Sequence, residues 1–559
     1  MLSYTCSSRH SQFQKFLSTY FKFHGLSTKG FDTLHALALT MSHKWTCNAI
    51  RKMSEKAMDE VNYLKDKYPW TLSYDNINIP FRVFSQRLNN QGEFGNGTAA
   101  TVYIKRDAKP LPLSTNCSLQ ETHAAGMRNP LTALDVFDLA LESTPHISSN
   151  IKYQVLRFLL INPDFDLPSY SFSKCHLLHP PNPRHPLPTG PKHVMLQYLL
   201  GTMNIPEASY DDNSCLIKEW LCQLRVEGAE VQQKTGLERV IAWAGDQLTI
   251  DHLWNLFKFC AEDLNSYDRL DWLVLVNGWL HIMMILGNTI HKQYLGTSRG
   301  RSISQAIDLL NKKGLGNAQI KGPFHHDLEE LLYEMTEAHM QEAWLLIGTV
   351  DSLAQLRDKT PDELVSLAED IVGKHASTDA LIILEGLQEN QKDDVLRQTI
   401  MFCQDVLHYI ILDQAIWNGD VGLMEDFLPY LLYRFIGSGS SNYATEVVEM
   451  LQAFHREWPP EVKYVTFSCL FQSLTISTRW FVLDHCWLVN HTGKPGDFLP
   501  INKAQEHNIR DIKVTGNNLH TWSTPHDMVL TRLPIVLKAP MWIGNTSKIY
   551  IQPFILFTQ

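Results

Sequence analysis

The sequence predicts an α/β protein in which a mixed sheet is interrupted by large, mainly helical insertions. Three observations carry that reading: two extended segments close together early in the chain, a short apolar run far downstream that ends in Gly and Asp, and long helical patterns around them.

Residues 1–69 read as helices, with Ser42 to Tyr68 mixing apolar and charged positions at a helical rhythm. The pattern changes at Trp70, where WTLSYDNINIPF reads as an extended segment ending in a polar turn. A Gly/Asn-rich stretch then leads to a second extended candidate, Thr98 to Lys105. From Pro110 to Pro206 the chain reads as an irregular excursion, with one helical candidate at Leu131 to Glu142. The closely spaced prolines of CHLLHPPNPRHPLPTGPKH oppose both helix interiors and central strands. Helical patterning resumes near Ser214, and the apolar run Gly236 to Trp243 reads as a strand with Gly245 and Asp246 at its end.

From His326 to Trp458 helical patterns dominate. Thr360, Pro361, Asp362 and Glu363 have the form of a capping box with proline at the first helical position. Further on, FSCLFQSLTISTRWF is an uncharged, β-prone piece up to Arg479, open between a strand and a local insertion. The divisions that result are 1–69 (helical), 70–110 (first strands), 111–235 (insertion with a Pro/His-rich loop), 236–320 (second part of the sheet), 321–465 (helical insertion) and 466–559 (C-terminal part).

Composition narrows the function classes. The 559 residues suffice for several cores, and 44% hydrophobic against 19% charged residues exclude a mostly disordered chain. A formal net charge of -10 argues against a uniformly basic nucleic-acid coat and leaves room for a local basic groove. The ten cysteines are scattered without a CxxC pair, which fits a reduced, intracellular protein. The first residues have no continuous apolar core of a secretory signal. The apolar run Trp272 to Ile290 is broken by Asn277, Gly278, His281, Gly287 and Asn288, so it reads as buried core and no membrane insertion is expected.

The residues that could carry chemistry are acids at strand ends. Asp75 and Asp246 each lie near a short extended candidate, and carboxylates so placed can converge across a sheet to hold divalent cations ~4 Å apart for phosphodiester chemistry. The ordinary alternative is that each caps a turn or a following helix. Glu446, in NYATEVVEMLQAF, and Glu506, in INKAQEHNIRDIK, are candidates for a third carboxylate on a helix; an amphipathic surface position is the alternative for both. Asp251, Glu262, Asp263, Asp268 and Asp271 read as a solvated face. The histidines match neither a zinc finger nor HExxH, and no phosphate-binding glycine loop, nucleophile elbow or kinase signature is present.

The segments GDQLTIDHLWNLFKFCAEDLNSYDRLDWLVLVNGWLHIMMILGNTIHKQYLG, KGPFHHDLEE, NYATEVVEMLQ and KAQEHNIRDIK, with YDNIN at 74–78 and NGTAATVYI at 96–104, resemble a large domain of unknown function abundant in mushroom-forming fungi. That family is in turn distantly similar to RNase H-like transposases of the Kyakuja, Dileera and Zisupton group. The resemblance implies an RNase H-like core and a transposon-derived DNA nuclease or strand transferase using Mg²⁺ or Mn²⁺. By it, Asp75 is the first-strand ligand, Asp246 the second, and Glu506 the late-helix ligand, with Glu446 as runner-up. It also implies DNA as partner, a nuclear location, and self-association as an open option, with no specific protein partner. Lys292, Arg299, Arg301, Lys312 and Lys313 would then face backbone phosphate, or form a solvated linker. The competing class is a domesticated scaffold or DNA-associated protein that keeps the fold without the activity.

Overall fold

Helices come first because their caps are encoded locally. In the computed structural model, which describes residues 11–23, 26–81, 93–189, 193, 195–297, 302–312, 325–469, 471–473, 498–500 and 505, the chain opens with α1 (Gln12–Phe23), α2 (Thr28–Ala36) and α3 (His43–Leu64). Ser27 and Ser42 cap α2 and α3, their hydroxyls accepting from the N–H groups of Gly30 and Trp45.

The sheet starts at Trp70, as the sequence predicts. Strands β1 (Trp70–Phe81) and β2 (Glu93–Ile104) pair antiparallel along their whole length, from Trp70 with Ile104 to Phe81 with Glu93. The second strand thus begins earlier than the expected Thr98, because the Gly/Asn stretch is itself part of the ladder.

Helices α4 (Thr115–Arg128) and α5 (Ala133–Leu160) follow, where an irregular excursion with one short helix is expected. The difference has a physical cause in α5. Pro145 lies inside it, but on an exposed stretch of the helix, where water can serve the carbonyl that proline leaves unbonded. On the opposite face Ile147, Ile151, Val155, Phe158 and Leu159 are buried, and a Thr132–Asp135 capping box fixes the start.

Next come β3 (Leu196–Leu199), α6 (Tyr210–Gln223), α7 (Ala229–Glu238), β4 (Ile241–Gly245), α8 (Gln247–Cys260), β5 (Leu273–Asn277) and α9 (Trp279–Tyr294). The expected strand from Gly236 is corrected: Gly236 belongs to α7, where its missing Cβ admits the backbone of Tyr267, and the strand starts at Ile241. The apolar run from Trp272 divides into β5 and α9 at Gly278, and among the described residues no helix is long and apolar enough to cross a membrane.

The remaining helices are α10 (Ile303–Lys312), α11 (His325–Gly348), α12 (Pro361–His375), α13 (Thr378–Glu385), α14 (Asp394–Asn418), α15 (Val421–Asp426), α16 (Leu428–Ser438) and α17 (Ser441–Gln452). The expected capping box at Thr360 and Glu363 starts α12. A π-helical turn (Ala453–Glu457) precedes α18 (Pro460–Cys469). The β-prone piece contributes β6 (Phe471–Ser473), paired antiparallel with β7 (Phe498–Pro500).

The chain forms two compact units. The first comprises 1–129, 188–279 and 453–559; the second comprises 130–187 and 280–452. In the first unit the five-stranded sheet has the order β3-β2-β1-β4-β5, with β1, β4 and β5 parallel and β2 antiparallel to both β1 and β3. One sheet face carries Leu72, Tyr74, Val102, Trp243 and Leu275 into a core with Trp220, Leu253 and Trp272. Aromatic rings make a continuous chain there, with centroids 4.7 Å apart for Tyr74 and Trp220, 6.3 Å for Trp220 and Trp243, and 6.1 Å for Trp243 and Trp272. Edge contacts of this kind add about 0.5–1.5 kcal/mol per pair beyond burial. By alternation the other face presents Thr71, Ser73, Asp75, Ala99 and Thr101.

Candidate functional site

Asp246 directly follows β4, whereas Asp75 lies in the middle of β1, just past the end of its pairing with β4, so the expected strand-end position holds for Asp246 and not for Asp75. The β1–β4 register runs through Ser73 with Ala244, so two further residues bring Asp75 level with Asp246. Asp246 is the N-cap of α8: its Oδ1 accepts the Thr249 N–H at 2.7 Å. The turn-capping role weighed from sequence is therefore present, and it engages one carboxylate oxygen. Asp75 Oδ1 accepts the Asn76 N–H at 2.6 Å.

Gly245 lets the helix close on the strand at this point. A Cβ there would sit 2.4 Å from Thr249 Cγ2, so only glycine allows the first turn of α8 to come down on the sheet end.

A third carboxylate, which the sequence reading did not single out, joins the pair. Glu207 sits between β3 and α6, tied to β1 by its N–H, which donates to Asn76 Oδ1 at 3.0 Å. Its side chain is buried, 3% exposed. Burial pushes its pKa well above the ordinary carboxyl range, and the nearby charges of Asp246 and Asp75 push it further. The Thr249 hydroxyl offsets part of this, yet neither carboxylate oxygen reaches a donor in full hydrogen-bond geometry. The mutual repulsion places Glu207 in one electrostatic neighbourhood with both aspartates. A signal was present in the sequence: Glu207 follows Pro206 and stands two residues before Ser209, the N-cap of α6, so it lies in the mouth between a strand and a helix.

Beneath the acids runs a polar core network. The Tyr74 hydroxyl donates to Asn213 Oδ1 at 2.7 Å, and Asn213 Nδ2 donates to the Ser209 carbonyl at 2.9 Å and faces His252 Nδ1 at 3.4 Å. Burial raises the Tyr74 phenol well above its usual value, and Glu207 and Asp246 add to the effect. The phenol is thus held as a neutral donor near two carboxyl groups, those of Glu207 and Asp246.

The remaining sequence candidates fall elsewhere. Glu446 is buried in α17, within the second unit, whereas Asp75, Asp246 and Glu207 belong to the first. Glu506 lies outside the described residues. Its sequence neighbour Gln505 is described and 1% exposed: its Nε2 donates to the Ala99 carbonyl at 2.8 Å, and its Oε1 accepts from the Thr101 hydroxyl. Ala99 is the register partner of Asp75. Of the basic candidates, Lys292 is exposed at the end of α9, Lys312 ends α10, and Arg299, Arg301 and Lys313 lie outside the described residues. The acids after Asp246 behave as local surface groups where partners are defined: Asp271 pairs with Arg269 at 2.8 Å and Asp268 accepts from Asn265 at 2.6 Å.

Among the described residues, no group of three or more His, Cys, Asp or Glu side chains is placed so that it could hold a metal ion. Glu207 is nonetheless a buried carboxyl group without a full hydrogen bond, and two further carboxylates lie within its electrostatic reach.

Residues 126–530 match a family of unknown function, DUF6589. The match includes Glu207, Asp246, Glu446 and Glu506 and begins beyond β1, so Asp75 lies outside it. Neither the curated proteins nor the solved structures compared with the chain yield a match.

Proposed function

The chain belongs to this family of unknown function, and we propose that it is a transposon-derived, divalent-metal-dependent DNA phosphodiester nuclease or strand transferase on an RNase H-like core. The strand order β3-β2-β1-β4-β5, with only β2 reversed, supports the fold assignment. The observation that carries the chemistry is the buried Glu207 carboxyl group beside Asp75 and Asp246 at the C-terminal end of the parallel strands, where open α/β sheets bind ligands.

In this reading Asp75, Asp246 and Glu207 hold Mg²⁺ or Mn²⁺, with Glu506 as the late-helix carboxylate. Such ions, when bound, activate a water or 3′-hydroxyl and stabilise the departing oxygen. The protein's own residues have separate tasks. Asp246 couples the site to α8, since the oxygen it gives to Thr249 fixes its orientation. Asn76 fixes the Glu207 backbone against β1. Glu207, whose charge burial disfavours, would hold its proton in the metal-free protein and would be the ligand that loses it on cation binding. DNA as partner, self-association and a nuclear location belong to this proposal.

The scaffold alternative is favoured by one observation, the absence of a closed ligand group among the described residues. Calorimetry with Mn²⁺ on the full chain and on Asp246→Asn separates the two. Asparagine keeps the N-cap, so loss of stoichiometric binding in the variant supports a metal site. No binding by the folded wild-type protein leaves the scaffold reading. Where binding is found, cleavage of DNA in Mn²⁺ that Glu207→Gln abolishes is the expected next result.

A further inference from the structure

The first half of α5 carries an apolar stripe on its outer face. Leu134, Phe137 and Leu141 are 75%, 53% and 56% exposed. Spaced i, i+3 and i+7, they fall in one line about 10 Å long at a rise of 1.5 Å per residue. Pro145, also exposed, continues that line. Val136, Ser143 and Ile147, on the opposite side of the helix, are the buried ones. Single exposed apolar residues are ordinary on a protein surface, whereas large apolar groups gathered in one patch mark contact sites.

Charge decides what fits the stripe. Asp138 and Glu142, both exposed and four residues apart, form a row along one flank. From Asn129 to Ile151 the chain has no Lys or Arg to neutralise them locally. Asp135, nearby, is taken up by the capping box, its Oδ2 accepting from the Thr132 N–H and hydroxyl at 2.7 Å. A second copy of the same face is a poor partner. Packed antiparallel, it sets one acid row against the other; packed parallel, it leaves both rows without a counter-charge. Anionic lipid and nucleic acid are repelled by the same row.

We infer that this face of α5 is a docking site for a basic amphipathic helix of another protein, apolar along one stripe and bearing Lys or Arg four residues apart beside it. The apolar side chains of the two helices interdigitate, and the bases pair with Asp138 and Glu142, which fixes the direction of the incoming helix. The site uses none of the sheet acids, so it stands apart from the metal reading.

The test is fluorescence anisotropy on the full-length protein with two synthetic helical peptides that share one leucine stripe, one flanked by lysines and the other by glutamates. The wild-type protein should bind the lysine peptide about 10-fold or more tightly than the glutamate peptide. Changing Leu134→Gln, Phe137→Gln and Leu141→Gln together should weaken lysine-peptide binding by about 10-fold or more, because a few apolar anchors carry most of the energy of such contacts. Asp138→Lys with Glu142→Lys should reverse the preference between the peptides. The same change in net charge made elsewhere on the surface, Asp251→Lys with Glu262→Lys, should not. All of these side chains are exposed, so each variant should melt as the wild type does. Failure of the wild-type protein to bind the lysine peptide would overturn the inference, as would binding that survives in the triple glutamine variant. Equal shifts in preference from the two lysine double variants would reduce the attraction to net charge and overturn it as well. Self-association of the wild-type protein that the triple glutamine variant loses, read by sedimentation, would give the face to a second copy instead.

Discussion

Each unit buries an acid, and the two acids are treated in opposite ways. In the first unit Glu207 is 3% exposed and lacks a full hydrogen bond, with two more carboxylates beside it. In the second unit Asp405, 8% exposed, is surrounded by donors: the Tyr294 hydroxyl, the Tyr430 hydroxyl at 3.3 Å, and Arg434 Nη2 at 2.7 Å. Burial raises the pKa of both, but Arg434 and the two tyrosines pull Asp405 back. Nothing comparable pulls back Glu207, apart from the Thr249 hydroxyl. The Asp405 carboxylate is bonded within the protein, although Arg434 Nε and Nη2 and His408 Nδ1 beside it lack a full hydrogen bond, while neither oxygen of Glu207 has one. Burial of an acid is therefore by itself no mark of a functional site.

The strongest way to break this comparison is to remove Arg434. Arg434→Met should leave Asp405 buried without its counter-charge and destabilise the protein by about 3–5 kcal/mol, read by denaturant unfolding. A loss below about 1 kcal/mol would put Asp405 in the same class as Glu207.

A second effect comes from His408, whose ring lies 4.2 Å from that of Tyr430 in the same network. Burial, helped by Arg434, pushes its imidazole down to about 4. The unfolded chain then binds a proton that the folded chain refuses, so stability is full above pH 6.5 and falls as pH drops toward 4. The expected loss is about 3 kcal/mol, removed in His408→Phe, and unfolding curves across that range check it.

Glu207 should act with the opposite sign. Its folded pKa is raised, so the metal-free protein loses stability as pH rises above 4.5, where the unfolded carboxyl ionises. Glu207→Gln should flatten that slope and match or exceed the wild-type stability at neutral pH. Equal slopes in the two proteins would mean that Glu207 is satisfied after all. Outside both networks, Thr360→Ala should cost about 1 kcal/mol through loss of the α12 capping box, a baseline against which the buried sites are measured.

Local signals were the legible ones. The Thr360 box, the start of β1 at Trp70 and the strand end at Gly245–Asp246 depend on a few neighbouring residues, and each was readable. The length of α5 was not, because Pro145 signals a break locally and the buried face that overrides it is defined only by packing in the second unit. Glu207 was missed for a related reason. A single acid in a loop has no period, and what singles it out is a charge environment assembled from β1 and the β4 end. Glu446 was a plausible third acid by sequence, yet its helix is built into the second unit.

The discontinuity of the second unit sets a schedule for the nascent chain. Helix α5 is synthesised well before the partners of its apolar face, among them Trp344 of α11, whose indole N–H bonds the Val155 carbonyl at 3.1 Å, and the buried residues of α14. The segment 130–187 must wait until residue 452 has emerged before its unit is complete. At ~5–20 residues per second that interval lasts on the order of tens of seconds. Throughout it a helix bearing Ile147, Ile151, Val155, Phe158 and Leu159 has no finished core to enter. Production of this protein should accordingly depend on holdase chaperones, and on translation speed between residues 187 and 452, more than its final stability alone would suggest.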